Sequence, residues 1–226
     1  CLFRMQHSVN KCCIIIKTAA GRLFYTKGAY SKMSTTQPIR DSALLHEFKD
    51  FYLEKERNIR NYALCILGLN TALRITDILE LKWGDLYDFS RNCFLEHLTV
   101  TEKKTGKSST IALNHSVVDT FTTYRGQLSA PPARDTCLFP SRKGTNQPLS
   151  RSQAFRVIKR AARSVGLCQH VSCHSLPKTF GYHAWQQGTP PALLMNIYNH
   201  SSYQITKRYL GIEQEDRDNV FKNISL

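Results

Sequence analysis

The sequence predicts an α+β fold, mainly helical, with a small antiparallel β-sheet. Three observations carry that prediction. From Asp41 onward, apolar residues recur at three- and four-residue steps, the spacing that gathers them on one face of a helix. One region instead alternates apolar and polar residues, "FLEHLTVTE" and "SSTIALN", on either side of "KKTGK", as two strands joined by a tight turn do. Between the periodic stretches stand breakers such as "APPARDT", Gly166 and Gly188. No stretch of the chain repeats another.

Residues 1–32 stand apart. They hold three of the cysteines, a short β-branched run and no helical period, and Met33 then opens "MSTTQPIRDS" as an ordinary protein start would. They are expected to be an extension outside the domain that follows, residues 33–226. That domain begins with a helix carrying Leu44, Leu45, Phe48, Phe51 and Tyr52. A second carries Ile59, Tyr62, Ala63, Ile66 and Leu67, and "RITDILEL" makes a third. After the hairpin, whose turn holds Gly106, comes an amphipathic helix with Val117, Phe121, Tyr124 and Leu128. Ser150 and Gln153 form a capping box for a helix through Phe155, Ile158, Ala162 and Val165. The helix of "HSLPKTFGYHAWQQG" should be capped by Ser175 and closed by Gly188. Thr189 should cap the next, with proline in its first turn, and "YQITKRYLGI" and "DNVFKNISL" make a last pair.

Composition narrows the function. The 226 residues hold 31 Lys+Arg against 17 Asp+Glu, a formal net charge of +14. So large an excess suits a polyanionic partner, most simply nucleic acid, by neutralising phosphates and releasing counterions; charge alone leaves a merely soluble basic protein open. An anionic lipid surface fits less well, because no basic amphipathic helix has a bulky apolar face. No run approaches the ~18 apolar residues of a membrane span. "CCIII" is too short and wrongly flanked for a signal peptide. The eight cysteines are scattered, several in apolar runs, which suits a reducing, cytoplasmic setting. "CQHVSCH" brings Cys168, His170, Cys173 and His174 together, but the spacing matches no usual pair of zinc-ligand knuckles. Neither a metal nor a cofactor is expected.

Short stretches spaced over residues 40–215 together resemble the catalytic domain of the tyrosine recombinases, the integrases of phages and mobile elements. "TALRITDIL" matches the first arginine box, with Arg74 and a supporting Asp77 three residues on. "EKKTGK" supplies Lys104 directly before Thr-Gly. "HSLPKTFGYH" matches the box that usually reads His-x-Leu-Arg-His/Lys-Thr-Phe, with His174 first. "NHSSYQITKRYLGI" gives His200 and, nine residues later, Tyr209. Each box is weak by itself, since a late tyrosine is usually a packing residue and a turn lysine is usually just polar; their common order and spacing is what makes the match specific.

The resemblance implies a chemistry and a set of partners. Tyr209 would attack phosphorus in double-stranded DNA, giving a 3′-phosphotyrosyl link and a free 5′-hydroxyl. The covalent link conserves the energy of the cleaved bond, so rejoining needs neither ATP nor metal. Arg74 would grip the non-bridging oxygens as negative charge grows there. Lys104 would protonate the departing 5′-oxygen, His174 would help with the tyrosine proton, and His200 would donate to the phosphate. Further expectations are a homotetramer on two paired sites, a C-terminal segment docking on a neighbouring subunit, and residence in the nucleoid. Too few residues lie between Met33 and the first arginine helix for the family's separate N-terminal DNA clamp, so that domain is expected to be absent.

One position departs from the pattern. The family's second arginine falls at position 177, where this chain has proline. In the first turn of a helix a proline costs the fold little, because its missing N–H has no intrahelical partner. It should cost the chemistry about 3–4 kcal/mol, or about 10²- to 10³-fold in rate, the usual effect of losing a preorganised charge-stabilising donor. Lys178 is adjacent, but a helix turns it about 100° away. Two rivals to a site-specific recombinase follow: a catalytically inactive DNA-binding protein that keeps the recombinase surface, and a topoisomerase of type IB, which shares the chemistry.

Overall fold

A computed structural model describes residues 14–17, 23–26, 36–101, 106–167, 171–212 and 214–225. The chain divides into two units, residues 1–35 and 36–226. In the first, strands β1 (Ile14–Lys17) and β2 (Leu23–Thr26) pair antiparallel, with Ile14 opposite Thr26 and Lys17 opposite Leu23.

The second unit is built around one buried helix. Helix α1 (Ser42–Asp50) starts where the Asp41 carboxylate accepts from the Leu44 amide, and runs on into a wider π-helical turn, Phe51–Lys55. Asn58 caps α2 (Ile59–Asn70), accepting from the Asn61 amide at 3.1 Å. Helix α2 buries Ala63, Leu64, Cys65, Ile66 and Leu67 in succession, so it is covered on all sides, as the centre of a core must be. Two short helices follow, α3 (Ile75–Leu79) and α4 (Trp83–Leu86). Two two-residue strands, β3 (Tyr87–Asp88) and β4 (Cys93–Phe94), pair with each other.

The predicted hairpin is present as β5 (His97–Thr101) and β6 (Ser108–Ala112), antiparallel, with His97 opposite Ala112 and Thr101 opposite Ser108. Leu98 and Val100 point into the core while their neighbours face water, the alternation read in the sequence. Gly106 has the left-handed conformation (φ 67°) that its place near the turn demands. The rest of that turn, Lys104 included, lies outside the described residues.

Helix α5 (His115–Gly126) sets Phe121 and Tyr124 against Trp83, with ring centroids 6.1 and 5.5 Å apart. Helix α6 (Arg151–Ser164) opens with the expected capping box: Ser150 Oγ accepts from the Gln153 amide and Gln153 Oε1 from the Ser150 amide. Then come α7 (Ser175–Gln186), α8 (Pro191–Ile197), α9 (Tyr203–Leu210) and α10 (Gln214–Asn223). Helix α7 crosses α2 closely: a β-carbon on Gly68 would meet Leu176 Cδ1 at 2.5 Å.

Two boundaries differ from the sequence reading. Ser175 is the first residue of α7 rather than its cap. Its buried Oγ accepts from the Ser172 amide, and its carbonyl accepts from Thr179 Oγ1, so the hydroxyl serves the loop before the helix. Thr189 does not cap α8; its amide donates back to the Ala184 carbonyl and finishes α7, leaving Pro190 in the cap position. Pro177 therefore becomes the third helical residue. It is still within the turn whose N–H groups have no intrahelical partner, so the fold accepts it.

A smaller apolar cluster sits beside the main core. Leu194, Tyr198, Leu210 and Ile212 form it, with Phe180, Trp185 and Tyr209 packed against it. Among the described residues no helix is long and apolar enough to cross a membrane. Of the cysteine–histidine cluster, Cys173 is buried in the main core and His174 is exposed, while Cys168 and His170 lie outside the described residues.

Candidate active site

The segment after α2 is bent before it reaches Arg74. Thr71 turns its hydroxyl back to the Leu67 carbonyl (2.8 Å), and Ala72 takes a left-handed conformation (φ 56°) that a residue with a β-carbon rarely adopts. Leu73 is then buried, and Arg74 precedes α3 in an extended conformation, half-buried. Asp77, in the first turn of α3, is buried, and its amide donates to the Arg74 carbonyl.

On the facing side Asn199 is left-handed (φ 52°), and the His200 amide closes on the Met195 carbonyl at 2.9 Å. The His200 ring lies nearly flat on Tyr198 (5.5 Å, 23°), with Nδ1 3.0 Å from Thr206 Oγ1. Burial, and then the Arg74 charge, hold its pKa below the usual histidine value. Tyr209, on the inner face of α9, meets both rings: His200 edge-on at 5.1 Å and Tyr198 at 5.1 Å. Burial pushes the Tyr209 phenol up to about 12, and the Arg74 guanidinium pulls against that rise. Arg74, His200 and Tyr209, brought by three separate elements, thus share one electrostatic site.

Position 177 adjoins it through one side chain. The Tyr198 hydroxyl donates to the Pro177 carbonyl at 2.6 Å, in a buried setting, so Tyr198 links the start of α7 to the Tyr209 ring. That approach needs a glycine: a β-carbon on Gly181 would meet both Tyr198 Oη and Leu210 Cδ2 at 2.5 Å.

A comparison with known proteins turns this geometry into a family. Residues 39–215 match the phage integrase family. The chain belongs to that family, the tyrosine recombinases. It is 38% identical to the probable integrase/recombinase YoeC of Bacillus subtilis (strain 168) over 190 residues, 84% of this chain and 97% of that protein. It is 28% identical to the type 1 fimbriae regulatory protein FimE of Escherichia coli (strain K12) over 153 residues, 66% of this chain and 73% of that one. The crystal structure of XerA recombinase superposes with a TM-score of 0.65 at 17% identity, covering 85% of this chain and 68% of XerA. At that identity the likeness shows a shared fold.

As a tyrosine recombinase domain the chain places most of its sequence-read residues together. Arg74, His200, Tyr209 and position 177 converge. His174 is exposed just before α7, beside a pocket it lines with Arg151, Ser152, Phe155, Arg156 and Ser172. Strand β6 flanks the site, because Ser108–Ile111 line one cleft with Thr71–Leu73 and Asn199. Lys107, just before β6, reaches Asn199 Oδ1 at 3.5 Å, next to His200.

Two members escaped sequence reading. Tyr198 was one more aromatic in a helical pattern, although its place two residues before His200 was a usable signal. Lys178 points to the tyrosine after all: its Nζ is 5.3 Å from the centre of the Tyr209 ring. The 100° that turns it from the direction of position 177 turns it toward α9.

Proposed function

We propose that this domain carries out site-specific DNA recombination, cutting and rejoining strands through a 3′-phosphotyrosyl intermediate with Tyr209 as nucleophile. The observation that carries the reading is the convergence of Arg74, His200 and Tyr209 on one site. Tyr209 Oη forms a bond to phosphorus, the bond from phosphorus to the 5′-oxygen breaks, and the phenol proton leaves toward His174. Lys104 returns a proton to the departing 5′-oxygen. Arg74 donates to the non-bridging oxygens, where charge accumulates. His200, with Nδ1 engaged by Thr206, turns Nε2 toward the phosphate. Asp77, buried one turn from Arg74, supports that loop.

The +14 charge supports a DNA partner. Assembly as a tetramer on two paired sites would use the end of α10 and the residue after it, where Phe221 and Ile224 are 77% and 61% exposed. Its substrate would place the protein on the cytoplasmic chromosome. The second reading, a DNA-binding protein without catalysis, is favoured by Pro177 alone, which removes one of two phosphate forks.

A nicked suicide duplex drawn from the DNA flanking the gene tests the proposal. Protein joined covalently to DNA on a denaturing gel, and lost in Tyr209→Phe, is the expected result. DNA binding with no adduct, even after Pro177→Arg, would establish the binding-protein reading instead.

A further inference from the structure

Lys178 is a buried lysine, 8% exposed. Burying an ammonium is costly unless something replaces its water, and here burial draws its pKa down. Two groups replace that water. Nζ donates to the Thr36 carbonyl at 2.5 Å, and it sits over the face of Tyr209, within the range where a cation is attracted to a ring's negative face.

The Thr36 carbonyl is itself fixed. Residues 36–40 are strapped along α7: the Ile39 amide donates to Thr179 Oγ1 at 2.9 Å, and the Ile39 carbonyl is 2.9 Å from His183 Nε2. Arg40 ends the strap. It donates to the Gly211 carbonyl just past the tyrosine helix, lies 4.0 Å from the buried Asp216, and covers the Tyr182 ring at 5.2 Å. The segment before α1 is therefore anchored on both sides of Tyr209, through Lys178 and through Gly211.

We propose that Lys178 is a positioning residue for Tyr209, its ammonium held on the Thr36 carbonyl so that it seats the phenol ring and supplies part of the positive field the phenol needs to lose its proton. The inference rests on Tyr209 being the nucleophile. Among the described residues, four titratable groups face that ring. Arg74 comes from the loop before α3, His200 from the loop before α9, Tyr198 from the end of α8, and Lys178 from α7. The two tyrosines are neutral at physiological pH and His200 is held toward its neutral form, so among these four groups Arg74 and Lys178 are the cations: the Arg74 charge pulls the phenol's pKa down, and Lys178 sits over the ring face.

The full chain labelled with 3,5-difluorotyrosine gives a readout independent of activity, because the ring fluorines lower the phenol's pKa and let Tyr209 titrate while Lys178 is still an ammonium. The Tyr209 resonance is assigned as the one missing from Tyr209→Phe. Lys178→Met removes charge and hydrogen bond, Lys178→Gln keeps a donor for Thr36 without the charge, and Lys178→Arg keeps both. Met and Gln should each raise the Tyr209 titration midpoint by about one pH unit or more, and Arg should restore it. In a Pro177→Arg background, the pH profile of adduct formation should move the same way, with DNA affinity unchanged. An unmoved Tyr209 midpoint in folded Met and Gln variants overturns the inference. Adduct persisting in Tyr209→Phe overturns the nucleophile reading instead, and leaves the titration to judge the contact between Lys178 and the ring.

Discussion

Position 177 separates what the fold asks of a residue from what the proposed chemistry asks of it. Proline fits because the first turn of α7 asks for no N–H there, and its carbonyl still serves Tyr198. A guanidinium at this position would stand one tyrosine away from Tyr209. Pro177→Arg should therefore raise adduct formation by about 10²-fold or more, while DNA affinity changes little, since one phosphate contact among many carries a fraction of binding. Quantified covalent complex on the nicked duplex checks this; equal rates in both proteins would mean another cation already fills the role. His200 adds a pH signature. Its folded pKa lies below the ordinary 6.5, so the stability it contributes is present above that value and is lost as pH falls through it. Stability measured from pH 7.5 to 5 should fall less steeply in His200→Gln than in the parent chain. Equal slopes would contradict the burial of that ring.

At the scale of elements, the site depends on how closely α7 admits its neighbours. Gly181 is the gap that lets Tyr198 and Leu210 touch the helix, and those contacts set the height of Tyr209. Gly181→Ala should cost about 1–3 kcal/mol, because Tyr198 Oη and Leu210 Cδ2 must both shift. It should also lower adduct formation beyond its effect on stability, since the tyrosine helix moves with them. Gly126, at the end of α5, faces open space, so Gly126→Ala should be neutral or stabilising by up to about 1 kcal/mol. Urea denaturation of the two variants side by side is the check, and a similar cost at both would show that α7 and α9 tolerate a wider spacing.

For the whole molecule, charge and the C-terminal helix make separate predictions. The +14 excess should give DNA affinity that falls linearly on a log–log plot against salt; a flat plot contradicts the polyanion argument. Helix α10 is seated at its start, where Asp216 accepts from the Tyr182 hydroxyl at 3.0 Å, yet Phe221 and Ile224 farther along are exposed. Phe221→Ser together with Ile224→Ser should leave monomer stability within about 0.5 kcal/mol, as exposed substitutions usually do. The same pair should abolish assembly on paired sites if those side chains dock on a neighbour. Sedimentation of the complex with DNA decides it; full assembly by the double variant would place the subunit contact elsewhere.

The sequence by itself determined the helical class, the β5–β6 hairpin, the capping box at Ser150 and the order of the family's boxes. Each rests on residues close together in the chain, where periodicity and local hydrogen bonding govern. It also located the proline in a helical first turn, where the fold accepts it. What only the tertiary structure decided depends on elements meeting. Ser175 could look like a cap until its hydroxyl was claimed by Ser172, and Thr189 until its amide was claimed by Ala184. Lys178 looked misdirected because helical geometry gives only its angle from position 177. Which side of α7 holds the tyrosine is set by α9 packing at Gly181, and that packing puts a buried lysine against Tyr209.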